Sequence, residues 1–502
     1  MRPSSLAPYV LALSLVLSVA GWTACNKAAD SEVSAAATDA AKIPITTSSE
    51  EAKKEFLEGR DLSDRLLGQE SLQHFEKAIA LDPDFASAEL ALATNSNTAK
   101  EFFDHQKKAM ALAGKVSEGE RLLILANEAA ANGDAAKQKE DLDKLVAAYP
   151  NDERAQFALG NYYFGQQELD QALDRYKKTT ALAPNYSPTY NILGYAYRQQ
   201  GNYPAAEQAF QKYIELIPND PNPYDSYAEL LLKMGRFEDS VAQYRKALSV
   251  DPHFPSSHFG IAADEMYLGK PGEATAELQK MADNARNDGE LRNALFGMAV
   301  VDSDSGKLAQ ALQAMDKEYA VAEKKNDVAA MAADLQAKAN ILAEIPNYEE
   351  AKRVFDRSFQ MIQESSQSQD IKDNAKILHE YNLAGIAIAK KDYATAKTHA
   401  AECAKAAEAT KNLGQVQQAH ELAGRLELAE KDNDNAIAEL LQANLQDPRN
   451  LYRLSLAYQG KGDTAKAQEF LIEAAQFNSL PALPYAFIRT KVQKLAGEKK
   501  AS

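Results

Sequence analysis

The sequence predicts an all-α fold, an α-solenoid of stacked helix-turn-helix repeats. Columns of similar residues recur every 34 positions in the middle of the chain, and a fixed period of that length is typical of stacked helical hairpins. The helix-favouring residues Ala, Leu, Glu, Gln and Lys are abundant, while Gly and Pro are sparse. No stretch alternates apolar and polar residues convincingly at the period of two that a half-buried strand requires.

The period is clearest between residues 153 and 252. Each repeat there closes at a proline, which cannot continue the hydrogen-bond ladder of a helix. These prolines are 34 positions apart: Pro150, Pro184, Pro218 and Pro252. The same step relates a small residue of the first helix, a small residue of the second helix and an aromatic residue of the second helix. These columns are Gly160, Gly194 and Ala228; Ala172, Ala206 and Ser240; and Tyr176, Phe210 and Tyr244.

This combination of small and aromatic columns with a late proline resembles the tetratricopeptide repeat family. The resemblance extends over several columns in three consecutive repeats. It implies a right-handed superhelix in which the first helices of the repeats line a concave groove. In that family the groove holds an extended peptide or a helix of a partner protein.

Extending the frame outward predicts about seven regular repeats over residues 51–286 and about five irregular, longer repeats over residues 287–480. Alanines that continue the small column of the second helix follow one another at steps of 40, 45, 40 and 31. They are Ala311, Ala351, Ala396, Ala436 and Ala467. Residues 481–502 are expected to form a capping helix and a tail. No single repeat can bury its apolar face alone, so neighbouring repeats supply the core.

Residues 1–24 have the pattern of an export signal. The apolar run from Val10 to Ala20 has the length of a signal-peptide core and is short for a membrane-spanning helix. Small residues before Gly21 fit cleavage by an ordinary signal peptidase, which would leave a soluble periplasmic protein. The sequence therefore predicts export.

A second outcome of processing is a lipid anchor at Cys25. The stretch Thr23-Ala24-Cys25 resembles a bacterial lipobox, although Trp22 stands where that motif normally has Leu. Residues 25–50 form a polar segment rich in Ala, Ser and Thr, which predicts a flexible tether. A lipoprotein at the periplasmic face of a bacterial membrane and an unlipidated or uncleaved chain both stay open at this point.

Charge and motifs narrow the classes of function. The net charge of −16 argues against a nucleic-acid partner, because phosphate binding needs a basic face. No glycine-rich phosphate loop, zinc-binding helix motif or nucleophile turn occurs, so no enzyme activity, cofactor or metal is predicted. The two cysteines, Cys25 and Cys403, imply no disulfide framework. One alternative is an enzyme or enzyme accessory with a metal site at His399 and Cys403, which lie four residues apart.

The resemblance implies nine groove positions, carried over from the first helices of the family's repeats. They are Asn127, Phe157, Asn161, Phe164, Asn191, Tyr195, Arg198, Asp225 and Glu229. Asn127 and Asn161 share a column, and an amide offers a peptide backbone both a donor and an acceptor. Phe157 stands where some members carry a lysine that clamps C-terminal carboxylates, so that mode of binding is not expected.

The function expected from these observations is a non-catalytic scaffold. Its partners are expected to be other proteins or peptides of the cell envelope, bound in the concave groove. The alternatives are the enzyme class described above and a self-assembling structural protein, for which a homo-oligomer is expected.

Overall fold

The computed structural model describes residues 42–96, 99–367, 369–410, 412–480 and 482–500. All regular secondary structure in these ranges is helical. The predicted signal peptide, Cys25 and most of the predicted tether lie outside the described residues. Among the helices described, none combines the length and the hydropathy that crossing a bilayer requires.

The helices follow one another as pairs joined by short turns. The first seven pairs are α1 (Glu50–Asp64) and α2 (Gly68–Leu81), α3 (Ala86–Asn95) and α4 (Ala99–Leu112), α5 (Glu118–Ala131) and α6 (Ala135–Ala148), α7 (Glu153–Gly165) and α8 (Leu169–Leu182), α9 (Ser187–Gln200) and α10 (Tyr203–Leu216), α11 (Pro221–Lys233) and α12 (Phe237–Val250), and α13 (Pro255–Tyr267) and α14 (Pro271–Asp283). A 3-10 turn, Ala113–Lys115, follows α4.

Five further pairs complete the array. They are α15 (Asp288–Asp304) and α16 (Leu308–Lys324), α17 (Val328–Glu344) and α18 (Tyr348–Glu364), α19 (Gln369–Ala389) and α20 (Tyr393–Thr410), α21 (Leu413–Glu430) and α22 (Asn433–Leu440), and α23 (Pro448–Lys461) and α24 (Thr464–Ala475). Two helices follow, α25 (Leu483–Ala486) and α26 (Arg489–Lys500). These consecutive helix pairs confirm the predicted fold class.

The longer period after residue 286 has a simple cause. The helices α15 to α18 have 17 residues each, and α19 has 21. The helices of the first seven pairs have at most 15 residues. The five alanines that continue the small column across the longer repeats are all buried. The longer helices therefore keep a buried small residue in the second helix of each pair, while the number of residues per repeat increases.

The chain divides into two compact bodies, and the division falls within α11. The N-terminal body ends at residue 227 and is described from residue 42, while the C-terminal body comprises residues 228–500 of the described chain. This division differs in position from the change in helix length, which falls between α14 and α15.

The first helices of the pairs are called inner helices here, because the family resemblance places them along the groove. Local capping signals position the ends of α5, α7 and α9, three inner helices of the N-terminal body. Ser117 and Glu120 form a reciprocal capping box at the start of α5. Asp152 accepts hydrogen bonds from the backbone N–H groups of Arg154 and Ala155 at the start of α7. Gly201 ends α9 with a φ of 76°, the left-handed conformation that glycine adopts without strain. These local signals fix where each helix begins and ends.

Within a pair, the small residue of the first helix packs on the aromatic ring of the second. A Cβ added at Gly160 would lie 2.6 Å from Cε1 of Tyr176, and one added at Gly194 would lie 2.5 Å from Cε1 of Phe210. Both rings are fully buried. The missing side chain therefore provides the space that the ring fills, and the two helices can approach closely.

The C-terminal body closes on itself through the segment after α24. Tyr267 on α13 exchanges two hydrogen bonds with the backbone of Ser479, at 2.9 Å to its O and 3.1 Å from its N. Arg489 on α26 forms a two-pronged ion pair with Asp304 at the end of α15, and both side chains are buried. The predicted capping helix thus contacts both its preceding pair and helices almost 200 positions earlier.

We expect Gly194→Ala to destabilise the protein. The new methyl group would overlap the buried ring of Phe210, and overpacking of this kind costs about 1–3 kcal/mol, more than the roughly 1 kcal/mol that alanine contributes to helix propensity. Denaturant unfolding followed by circular dichroism measures the change. Gly114→Ala is the control in the same body, because a Cβ there meets nothing within 4 Å. Equal stability of the two variants would contradict the packing described.

Candidate protein-binding surfaces

The nine predicted groove residues lie on α5, α7, α9 and α11, the first helices of four consecutive pairs. Eight of them belong to the N-terminal body, and Glu229 belongs to the C-terminal body. Five are buried: Asn127, Phe157, Asn161, Asn191 and Asp225. The other four are half-buried: Phe164, Tyr195, Arg198 and Glu229. Within the N-terminal body the first helices place eight of the residues in one series, and five of those eight are buried.

Phe157 is part of the hydrophobic core. Its ring is 2% exposed and lies 5.8 Å from the ring of Tyr176 and 5.3 Å, edge to face, from that of Tyr186. Asn161 also serves the core, because its Oδ1 accepts a hydrogen bond of 2.8 Å from the hydroxyl of Tyr176. Two of the nine predicted groove residues, Phe157 and Asn161, thus pack against Tyr176 in the core.

Asn127 and Asn191 are also buried, but in the described part of the chain their side-chain oxygens accept no hydrogen bond of the kind that Asn161 accepts. The Oδ1 atom of each has no hydrogen-bond partner within the described residues. Buried polar atoms are almost always hydrogen-bonded, and an unpaired one costs about 1–3 kcal/mol. These two amide oxygens therefore have unused hydrogen-bonding capacity on the inner helices α5 and α9.

The accessible part of the series centres on Tyr195 and Arg198. The guanidinium carbon of Arg198 lies 4.7 Å from the centroid of the Tyr195 ring. The Tyr195 hydroxyl donates to Oγ of Ser226 at 3.3 Å, and its ring packs edge-on against Phe210 at 5.2 Å. A cation held over a half-exposed aromatic ring is a rigid amphipathic surface of the kind enriched in protein interfaces.

A partly buried charged cluster, which no repeat column predicts, joins the first helix pair of the N-terminal body to the loop before α11. Arg65, after α1, donates two hydrogen bonds to the carboxylate of Asp220, at 2.8 and 2.7 Å. Arg60 is 4% exposed, and its burial lowers its pKa to about 9. Its Nε and Nη1 atoms and the hydroxyl of Tyr186 have no hydrogen-bond partner within the described residues. The cluster thus contains several buried polar atoms that have no hydrogen-bond partner among the described residues.

Comparison with known proteins identifies the repeats. Residues 187–220 match the family model of the tetratricopeptide repeat, and residues 222–254 and 448–479 match a second model with the same description. The chain contains tetratricopeptide repeats. The matched segments are α9 with α10, α11 with α12, and α23 with α24, so the repeats occur in both the regular and the irregular part of the array.

Several solved structures are similar to parts of the chain. A tetratricopeptide repeat protein from Parabacteroides merdae is 15% identical, with a TM-score of 0.35 over 54% of this chain and 94% of that one. One from Thermus thermophilus is 24% identical, with a TM-score of 0.31 over 36% and 99%. A MamA fragment from Desulfovibrio magneticus is 15% identical, with a TM-score of 0.30 over 33% and 93%. No curated protein sequence matches the chain.

The alternative metal site at His399 and Cys403 is not assembled in the described residues. Nδ1 of His399 lies 2.6 Å from Oε2 of Glu380, on the other helix of the same pair. Cys403 is fully buried among apolar side chains, and burial raises the pKa of its thiol to about 11. A metal would require the thiolate, which such surroundings disfavour. No group of three or more His, Cys, Asp and Glu residues in the described ranges is placed to hold a metal ion.

Most histidines of the chain have a structural role that the motifs considered above do not predict. Five of the seven place Nδ1 against a glutamate on the partner helix of the same pair, and in four cases the two residues are 19 positions apart. His399 is one of these four, and another is His258, whose Nδ1 lies 2.7 Å from Glu277. The sequence signal for this role is a spacing of 19 positions between a histidine and a glutamate, which recurs in four helix pairs.

Asn161 and Asn191 form a matched pair for a stability test. We expect Asn161→Leu to lower the free energy of unfolding by about 1–3 kcal/mol, because it leaves the buried Tyr176 hydroxyl without an acceptor. Asn191→Leu removes an oxygen that has no partner, so stability should stay within about 0.5 kcal/mol of the parent or rise. Denaturant unfolding compares the two. Equal losses in both variants would contradict the assignment of different roles.

Proposed function

We propose that this chain is a non-catalytic scaffold that binds segments of other proteins along the inner helices of its N-terminal body. The observation that carries the proposal is the unused hydrogen-bonding capacity of Asn127 and Asn191 on those helices. An extended peptide offers backbone N–H donors that such amide oxygens accept. The tetratricopeptide repeats matched in the chain support the same class of function.

The geometry of a solenoid fits an extended ligand. Neighbouring helices pack about 8–10 Å apart, and an extended chain advances about 3.3 Å per residue. The amides of Asn127 and Asn191 lie two steps apart in the series of first helices, so they can reach residues of a bound segment that are about five or six positions apart. Because the helices are held by their own core, the groove is already ordered, which lowers the conformational entropy lost on binding.

Asn127 and Asn191 are buried, so we infer that a ligand reaches their amides only when the N-terminal body opens. The Arg65–Asp220 ion pair joins the first helix pair to the loop before α11, 155 positions later. A ligand that binds only the open form competes with this closed form, so its apparent affinity falls with the fraction of open molecules. The half-buried pair Tyr195–Arg198 offers a first contact that does not require opening.

A photocrosslinking experiment tests the binding surface. We expect p-benzoylphenylalanine in place of the half-buried Phe164 to crosslink to a partner in an envelope extract. The same group in place of Lys177, which is exposed on α8, is the control for nonspecific contacts. The crosslink should disappear in the background Asn127→Leu with Asn191→Leu, while the folded stability is retained. Identical crosslinks from both positions, or a crosslink that survives the double substitution, would contradict the proposal.

We propose in addition that the scaffold works in the cell envelope and that Cys25 carries a lipid. The support for this is the signal-like run from Val10 to Ala20 followed by a single cysteine and a polar segment. The partners would then be envelope proteins or peptides. A lipid on Cys25 would keep the scaffold at the membrane surface.

The mass of the mature protein decides the question of the anchor. We expect a chain that begins at Cys25 and carries the added mass of acyl groups, because the lipidated cysteine becomes the first residue. In the control variant Cys25→Ser the acyl mass should be lost. An intact mass that includes Gly21 and Trp22 would contradict the lipid anchor.

A further inference from the structure

An extended segment of the chain lies across three helix pairs of the N-terminal body. Residues 42–48, here called the strap, precede α1 and form no helix. The sequence assigns them to the flexible tether, yet both of their isoleucines pack against the array. Ile43 is 4% exposed and belongs to the central apolar cluster, and Ile45 packs against the cluster around Phe56 and Phe75.

Three carboxylates receive the backbone of the strap. The N–H of Ile43 donates to Asp152 at 2.8 Å, that of Thr46 to Glu120 at 2.9 Å, and that of Ser48 to Asp82 at 2.7 Å. The acceptors come from three different places in the array, namely the start of α7, the first turn of α5 and the end of α2. The array thus recognises an extended backbone along its length.

Side-chain contacts add selectivity. Ile43 fills the space beside Gly119, where a Cβ would lie 2.8 Å from its Cγ2. Lys42 pairs with Glu153 and donates to the backbone O of Asn151 at 3.0 Å. The hydroxyl of Thr47 donates to Asp82 at 2.6 Å. The surface that contacts the strap, here called its seat, therefore accepts a basic residue followed directly by an aliphatic residue. It also accepts hydroxyl residues three and four positions after the aliphatic one.

Two of the carboxylates are held in place independently of the strap. Glu120 takes part in the capping box of α5 and accepts from the hydroxyl of Ser87 at 2.7 Å, and Asp152 caps α7. For Asp82, burial would raise the pKa, but hydrogen bonds from Thr47 and Ser48 outweigh it and hold that pKa below its usual range. The array presents an ordered row of acceptors, and the strap satisfies them.

We propose that this row of carboxylates is a peptide-binding site in its own right, which the strap occupies as an intramolecular competitor. Its ligand is an extended segment of a partner protein with the chemistry of the strap: basic, aliphatic, any residue, aliphatic, hydroxyl, hydroxyl. The strap is linked covalently to α1 through Ser49 and lies outside every described helix, so its release breaks no hydrogen bond within a helix. This row lies at the N-terminal ends of α5 and α7 and at the end of α2, and it shares no residue with the site of Asn127 and Asn191 proposed above.

Tethering explains why the strap holds the site in the isolated chain. A segment attached through a short linker has an effective concentration in the millimolar range, so a free peptide of equal affinity competes poorly. Release of the strap removes that competition. The same peptide should then bind the vacated row.

The test uses the full chain and a labelled synthetic peptide that corresponds to residues 40–49. In the variant Ile43→Asp with Ile45→Asp, whose strap cannot re-enter the apolar seats, we expect fluorescence anisotropy to show binding about tenfold or more tighter than to the parent chain. A peptide with both isoleucines replaced by Asp should not bind. Adding Glu120→Ala to the released variant should abolish binding.

A second site variant guards against loss of folding, since Glu120 also caps α5. Gly119→Leu in the released variant fills the seat of Ile43 and leaves every carboxylate in place, and it should also abolish peptide binding. Circular dichroism confirms that each chain is folded. The proposal is overturned if the released variant binds no peptide at about 1 mM, if it binds no tighter than the parent, or if Gly119→Leu leaves its binding unchanged.

Discussion

The packing of an aromatic ring on a residue with little or no side chain is the constraint on which the array depends. At Gly160 and Gly194 the ring of Tyr176 or Phe210 occupies the space where a Cβ would lie. This contact sets how closely the two helices of a pair approach, and the approach sets the position of the next pair. The position of each inner helix therefore follows from its contact with the aromatic ring of the second helix in the same pair.

Each body is completed by contacts between residues far apart in the chain. In the N-terminal body Arg65 binds Asp220, and in the C-terminal body Arg489 binds Asp304, each through two hydrogen bonds to one carboxylate. The carboxylates of Asp220 and Asp304 are both buried, so removal of either arginine would leave a buried negative charge without its partner.

Buried polar atoms need hydrogen-bond partners, and the two candidate binding sites differ in whether those partners are present. On the inner helices, Asn127 and Asn191 keep oxygens without a partner, and a ligand would supply the missing donors. On the row formed by Asp82, Glu120 and Asp152, the strap already supplies donors from its backbone. The strap is thus an example, within the same chain, of how this array holds an extended peptide.

The sequence by itself determined the helical repeats, the columns that pack between helices and the lengthening of the helices after residue 286, because these depend on spacings within one repeat or between neighbours. It did not reveal that Phe157 and Asn161 belong to the core, since a position on a first helix does not say what covers it. The Arg65–Asp220 contact and the seat of Ile43 were likewise decided only by the tertiary structure. Small rotations between successive pairs accumulate until distant residues meet, and such contacts leave no period in the sequence.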